Sequence, residues 1–477
     1  MPINSVVSER NGANAVGGSE SPGGILPEQL GSADFRRDYG IRFAYLSGSM
    51  YKAISSKELV IAMGRAGLMG YLGTGGIDLA VNEASITQIQ AALAPGAAYG
   101  VNLLADLANP EAEDQTVDLF LRRNVRCVEA SAFTKVSPAI VRYRLAGVER
   151  LPNGEAHTPN RVLAKVSHPE VAESFMRPAA PTLLRKLVEA GRISEEQALL
   201  GERVPVAQDV CVEADSGGHT DRRVANVLLP AILNLRERIS REVKYAQSIR
   251  VGAAGGIGTP EAVAAAFVVG ADFVMTGSIN QCTVEAGTSD AVKDMLQSMG
   301  VQDTDYAPAG DMFELGAKVQ VLKKGLLFPA RANKLYELYL RHNSLDEIDP
   351  KTRAQIEDSY FKRSIDEVWA ETRAYLSKRM PQALVETERN PKRKMAAIFR
   401  WYFVHSTRLA MTGSDQQKVD YQVHCGPALG AFNAWVKGTD IEAWQQRHAP
   451  DIAQRLMTAT ANLLNHRFNR WTAAAVA

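Results

Sequence analysis

Eight short apolar runs, each followed by a glycine- or serine-rich step and then a stretch of helical periodicity, constrain this chain more than any other feature. They are IRFAYL (41–46), LMGYLG (68–73), AYGVNLL (98–104), VRCVEA (125–130), RVLAKV (161–166), DVCVEA (209–214), IRVGAA (249–254) and DFVMTG (272–277). Runs of this length, rich in branched residues and bounded by small ones, predict buried strands. Intervening segments such as SSKELVIAMGRAG (55–67) and TPEAVAAAFVVGA (259–271) open on Ser-x-x-Glu or Thr-Pro-Glu and close near a glycine, as helices do. Strand and helix in strict alternation give a parallel sheet, and eight such units close into an α/β fold, the (β/α)8 TIM barrel. An open doubly wound sheet would use fewer strands and carry its glycine fingerprint in the first turn, whereas the richest glycine clusters here follow the seventh and eighth runs.

The barrel is expected over residues 35–330 of the 477. Residues 1–34 are rich in Gly, Ser and Asn, lack the basic start and apolar stretch of a signal peptide, and are expected to form a flexible leader. Residues 167–208 carry about three helical patterns where one would suffice, which predicts a helical insertion beside the barrel entrance. Beyond 330 the strand signals stop, and 331–477 is expected as a separate α-helical C-terminal region. Within it, DIAQRLMTATANLLNHRFNRW (451–471) places Ile452, Leu456, Leu463 and Trp471 on one apolar stripe, the face a helix packs as core. Lys plus Arg (54) nearly balance Asp plus Glu (53), so there is no basic field to attract nucleic acid or a membrane surface. No run of about 18 uninterrupted apolar residues occurs. Cys127, Cys211, Cys282 and Cys425 are scattered, without the close pairs of zinc or redox motifs, so reduced thiols, a cytoplasmic location and no metal are expected.

In a barrel of this kind the active site forms at the C-terminal ends of the strands. The residues there are Ser47-Gly48-Ser49-Met50 after the first run, Thr74-Gly75-Gly76 after the second, Asn102 within the third, Ser131 after the fourth, and Lys165 and Ser167 at the fifth. DSGGHTD (215–221) follows the sixth, Gly255-Gly256-Ile257-Gly258 the seventh, and Gly277-Ser278 the eighth. Small and polar residues at nearly every strand end suit a broad, flat ligand. GAAGGIGTPEA and TGSIN present bare amides running into helix starts, which together form an anion site at the usual phosphate position of a barrel. In DSGGHTD, Gly217 and Gly218 permit positive φ and close backbone approach, and His219 titrates where a proton can be given or taken. A tight turn beside a structural histidine is the plain alternative. Asp221 is expected to cap the next helix, and His168 to be a loop residue before Pro169. His424 is expected in the helical region, far from any strand end. The charges around Lys392, in RNPKRKMAAIFRW (389–401), form a solvated face or a local basic patch suited to an acidic carrier protein.

SGSM, YGVN, SGGHTD, GAAGGIGTPEAV and GADFVMTGS, in this order, resemble the flavin-dependent barrels related to nitronate monooxygenase (2-nitropropane dioxygenase) and the flavin enoyl-acyl-carrier-protein reductase. EADSGGHTD and YQVHCGPALGAFN (421–433) extend the resemblance to the trans-acting enoyl reductases of bacterial polyketide and polyunsaturated fatty acid synthesis, over about residues 35–470. The resemblance implies FMN at the barrel mouth, its phosphate on Gly255, Gly256, Gly277 and Ser278 and its ring near Gly48, Ser49, Met50 and Asn102. It implies that Gly217 and Gly218 lie against the flavin with His219 as the catalytic residue over the ring. Lys165 would lie near the pyrimidine edge, or else pair with a carboxylate such as Glu213. The implied activity is reduction of the α,β double bond of an enoyl thioester on an acyl carrier protein, with NADPH or NADH as reductant. Polyketide or fatty acid synthase modules are the implied partners, and a homodimer is possible on the same grounds. A nitronate monooxygenase-like oxidase would use the same fold and cofactor. A non-catalytic carrier-docking subunit would have lost the phosphate glycines, which are intact here.

Overall fold

The computed structural model describes residues 24–106 and 109–474. Eight parallel strands form a closed barrel: β1 (Tyr45–Ser47), β2 (Met69–Leu72), β3 (Gly100–Leu104), β4 (Cys127–Ser131), β5 (Arg161–Val166), β6 (Asp209–Glu213), β7 (Arg250–Ala254) and β8 (Val274–Thr276). Each pairs with its neighbour in the series, and β8 closes on β1 with Val274 opposite Tyr45 and Thr276 opposite Ser47. All eight expected strands are present, because each is a local run buried on both faces.

The pleat sends Leu46, Tyr71, Leu163, Cys211 and Met275 into one buried cluster with Phe35 and Tyr39. Phe35 and Tyr39 come from the helix Ala33–Tyr39, whose first turn is capped by the Ser32 hydroxyl accepting from the Phe35 amide at 3.2 Å. Phe35 stacks on Phe273 with centroids 4.3 Å apart, and the Tyr39 hydroxyl donates to Asp209 at 2.7 Å. Arg250 donates to Asp209 at 2.6 Å and to Asp38 at 2.7 Å, so the buried carboxylate at the N-terminal end of β6 is paired. Part of the expected leader is therefore structural. Ile25 exchanges hydrogen bonds with the side chain of Asn465 at 2.7 and 2.9 Å, Leu30 is buried, and the Ser32 amide donates to the Asp272 carbonyl at 2.8 Å. Residues 1–23 of that expectation lie outside the described residues.

Helices follow the strands as the pattern predicts. Ser56 caps Lys57–Arg65 after β1, and Thr259 caps Pro260–Val269 after β7, which ends on Gly270 in the left-handed region. Three helices, Pro169–Met176, Pro181–Glu189 and Glu195–Gly201, occupy the expected insertion between β5 and β6. The chain departs from expectation after β8. A hairpin of Thr304–Pro308 and Lys318–Leu322 and a group of helices intervene before the last helix, Ala449–Ala474. That last helix packs against both Pro260–Val269 and Lys57–Arg65, the place of the eighth helix in the outer ring. Its Ile452 and Leu456 are fully buried in the barrel's own core, whereas Trp471, expected on the same stripe, is 61% exposed. The second core gathers Phe313, Phe328, Leu335, Phe361, Phe399 and Tyr402, between residues 307 and 403. The cores thus divide inside an excursion between β8 and the barrel's last helix, and not at residue 330. Among the described residues no helix is long and apolar enough to cross a membrane.

Candidate functional site

At the C-terminal ends of β4, β5 and β6 stand Glu129, Lys165 and Glu213. The Lys165 ammonium lies 3.5 Å from Glu129 Oε1 and 3.4 Å from Glu213 Oε1. Burial works against its charge, but Glu213 and then Glu129 outweigh that penalty, so its pKa stands above the usual lysine value. Glu129 is completely buried, and its carboxylate accepts from the Ser49 amide at 3.0 Å, the Ser49 hydroxyl at 2.7 Å and the Ser131 hydroxyl at 3.0 Å. A buried carboxylate persists when its lone pairs are filled and a cation stands beside it. Asn102, on β3, donates to the Glu129 carbonyl at 3.1 Å and to Ser131 at 2.9 Å. Ser49, Asn102 and Lys165 are thus brought into one network centred on Glu129, a residue the sequence reading did not single out. A signal for it was present: Glu129, Lys165 and Glu213 each occupy the fifth place of a six-residue apolar run.

The two glycine clusters lie at adjacent strand ends. Gly255 and Gly256 take φ of +83° and +74°, the left-handed region that a side chain rarely adopts. Nothing lies within 4 Å of where a Cβ would stand on Gly256 or on Gly277, and the amides of Gly256 and Ser278 have no acceptor among the described residues. Bare amides facing open space beside a capped helix start fit a phosphate group. Gly48 and Met50 lie at the end of β1, where the Gly48 amide donates to the Thr276 carbonyl at 2.9 Å.

His219 lies on a two-residue strand, Gly218–His219, that pairs antiparallel with Lys318–Leu322 of the hairpin. Its side chain is half-exposed, and Nε2 stands 2.9 Å from Asp311 Oδ1. Partial desolvation opposes the charge, but the hydrogen bond and charge of Asp311 outweigh it and raise the pKa above the usual histidine value. Asp215 anchors the same loop, accepting from the Tyr306 hydroxyl at 2.5 Å, from Thr220 at 2.7 Å and from Gln320 at 3.2 Å.

The reason for the bare backbone at Gly217 is an approach from far along the chain: a Cβ there would stand 2.6 Å from the α-carbon of Cys425. The segment 424–428 crosses the mouth. The His424 ring lies 6.1 Å from that of Tyr51 after β1, and Cys425 seats on Gly217 after β6. The Gly426 amide donates to the Ser278 hydroxyl at 2.9 Å after β8, and Ala428 presses on Gly258 after β7. His424, expected far from the strand ends, is therefore at the site, because the excursion returns its chain to the barrel. Two further expectations are corrected. Asp221 does not cap the next helix, which starts at Ala225 with Val224 before it; it bonds the Ser167 hydroxyl and lies 3.1 Å from His168 Nε2. Lys392 is not on a solvated face, since its ammonium binds the carbonyls of Tyr339 and His342 at the end of the helix Phe328–Arg341. Its neighbour Arg393 pairs with Glu386.

The family described as nitronate monooxygenase matches residues 39–323. The chain belongs to this family. Residues 342–421, inside the excursion, match the inserted helical domain of [acyl-carrier-protein] S-malonyltransferase. This member of the nitronate monooxygenase family is 56% identical over 445 residues to the polyketide biosynthesis protein PksE of Bacillus subtilis, covering 93% of this chain and 58% of that protein. It is 51% identical to the polyketide biosynthesis protein ThaF of Burkholderia thailandensis, covering 94% of this chain and 39% of ThaF. It is 45% identical to a polyunsaturated fatty acid synthase polypeptide of Thraustochytrium, covering 89% of this chain and 29% of that polypeptide. The chain thus spans 58% or less of the length of these relatives. Among solved structures, the enoyl reductase domain of MlnA, from the macrolactin biosynthesis cluster of Bacillus amyloliquefaciens, is similar with a TM-score of 0.90 and 44% identity, over 93% of this chain and 99% of that one. FabK from Thermotoga maritima, at 18% identity and a TM-score of 0.53, shares the fold.

Proposed function

We propose that this chain is an FMN-dependent enoyl reductase that saturates the α,β double bond of an enoyl thioester held on an acyl carrier protein, in polyketide or polyunsaturated fatty acid synthesis. The observation that carries the reading is the end-to-end similarity to the enoyl reductase domain of MlnA. The intact glycine clusters favour a flavin enzyme over a docking subunit that has lost its cofactor. FMN, when bound, supplies a two-electron carrier between reduced nicotinamide and the substrate. The open amides of Gly256 and Ser278 suit its phosphate, and Lys165 supplies a cation held in place by two carboxylates. His219, biased toward its protonated form by Asp311, is placed to give the proton that the α carbon needs once hydride has reached the β carbon. In balance, one hydride from nicotinamide and one proton convert the alkene to a saturated acyl chain. The helical segment 342–421 and the relatives' place in synthases support a protein-borne substrate and synthase partners.

The test is anaerobic incubation of the FMN-loaded protein with NADPH or NADH and a crotonyl-loaded carrier protein, followed by intact-mass measurement of the carrier. A gain of two hydrogens is expected. An unchanged carrier, together with oxygen consumption on a nitroalkane, would replace this reading with the oxidase one.

A further inference from the structure

His424 is the one histidine that the excursion delivers to the mouth, and its surroundings fix its protons. Thr407 donates to Gln422 Oε1 at 3.2 Å, which turns the amide nitrogen of Gln422 toward His424 Nε2 at 2.7 Å. A nitrogen that receives a hydrogen bond carries no proton, so Nε2 is the acceptor and Nδ1 bears the single ring proton. Nδ1 lies on the side of Gly218 where a side chain would stand, 3.6 Å from that position, and has no partner among the described residues. The groups around the ring are Tyr51, Gln422, Thr407, and the charged pair His219 and Asp311. Burial and then the charge of His219 push the His424 pKa down to about 4, so the ring is neutral around neutral pH. The two histidines are thus differentiated: Asp311 biases His219 toward its protonated form, and His424 is held neutral with a free N–H.

We infer that His424 donates its Nδ1–H to the carbonyl oxygen of the bound enoyl thioester, while the His219–Asp311 pair delivers the α proton. This role rests on the proposed enoyl reduction. As hydride adds to the β carbon, the π electrons of the alkene move through the α carbon onto the thioester oxygen. A neutral donor placed there would stabilise the developing enolate without competing to protonate it. The electron pair then returns, the α carbon takes the proton from His219, and the carbonyl re-forms. A neutral imidazole donor and an imidazole biased toward protonation by a carboxylate are different tools, and the two rings differ in this way.

The test begins with the protein carrying 15N-labelled histidine. One ring, identified by its loss in His424→Phe, should show a protonated Nδ1 and bare Nε2 throughout pH 5–8; a charged ring or the opposite tautomer overturns the inference. Stopped-flow then separates the half-reactions. His424→Phe should slow reoxidation of the reduced enzyme by crotonyl-carrier by about 10²–10³-fold, the usual loss for one oxyanion donor, while flavin content and reduction by nicotinamide stay near wild type. His424→Asn, which retains an N–H donor close to the ring's Nδ1, should recover part of that loss even if the Phe variant folds poorly. Gln422→Glu places an acceptor at Nε2, so the ring should take up a second proton near neutrality and give reoxidation a new ionisation. Wild-type reoxidation rates in both His424 variants would overturn this role and leave the proposed function standing. Failure of the wild-type enzyme to be reoxidised by the enoyl thioester would overturn both.

Discussion

Removing the Glu129 carboxylate tests whether the mouth is organised around it. Its three acceptor contacts, to the Ser49 amide at 3.0 Å, the Ser49 hydroxyl at 2.7 Å and the Ser131 hydroxyl at 3.0 Å, surround a completely buried group. Hydrogen bonds to a charged partner contribute about 1.5–3 kcal/mol, and ordinary ones about 0.5–1.5. In Glu129→Ala the Ser49 amide loses its acceptor outright, and at about 1.4 kcal/mol per decade its hydrogen exchange should accelerate by about 10- to 150-fold. In Glu129→Gln the amide oxygen can still meet the Ser49 N–H, because both serine hydroxyls can turn to accept from the new NH2. The same amide should then speed up by about tenfold or less. The assay is hydrogen–deuterium exchange of the peptide spanning β1 and Ser49, a local readout that does not require the two cores to unfold together. Unchanged exchange in Glu129→Ala would show that the carboxylate does not hold this loop and would refute the network.

Gly217→Ala should lower the urea midpoint by an amount equivalent to about 1–3 kcal/mol, since its methyl would stand 2.6 Å from a backbone atom of Cys425; a neutral result would mean that 424–426 is not seated there. Asp311→Asn removes what raises the His219 pKa, so the rate of flavin reoxidation, which falls as pH rises through that pKa, should lose activity at a lower pH. The half-exposed pair is worth about 0–1 kcal/mol, so the limb should move by less than about one pH unit, and a shift to higher pH would contradict the pairing. Gly256→Asp should abolish the visible flavin absorbance of the purified protein whereas Gly256→Asn retains most of it, because the two share a shape and differ in charge; equal retention would remove the phosphate from this loop. Carrier-bound crotonyl should show a higher kcat/KM than crotonyl-coenzyme A, as binding energy remote from the reacting carbons positions them, and equal values would leave the helical excursion without that role.

The barrel was legible because each strand announces itself locally: a short run buried on both faces needs only its own residues and the small ones bounding it. The glycine clusters after β7 and β8 were legible for the same reason, as bare amides before a Thr-capped helix are a sequence-local arrangement. Glu129 was passed over because a carboxylate inside VRCVEA was absorbed into the strand, although a buried charge at the mouth end of three consecutive runs is itself a sign of a built site. The periodicity of Ala449–Ala474 gave its apolar face correctly at Ile452 and Leu456, but a stripe states that a helix packs and not against what.

The remaining misreadings share a cause, which is contact between residues far apart in the chain. Read from the sequence, Gly217 is bare to let the loop lie against a flavin, or else to make a tight turn; its missing side chain instead makes room for the backbone of Cys425. His424 lay in a helical stretch with no strand nearby in sequence, yet the bridge between Val321 and His424 and the contacts of Cys425, Gly426 and Ala428 carry it to loops after β1, β6, β7 and β8. The excursion is consequently not an appendage to a finished barrel. Its returning segment holds the site loops, and the helix that follows it completes the outer ring, so the closure of the barrel and the assembly of its mouth depend on the same residues.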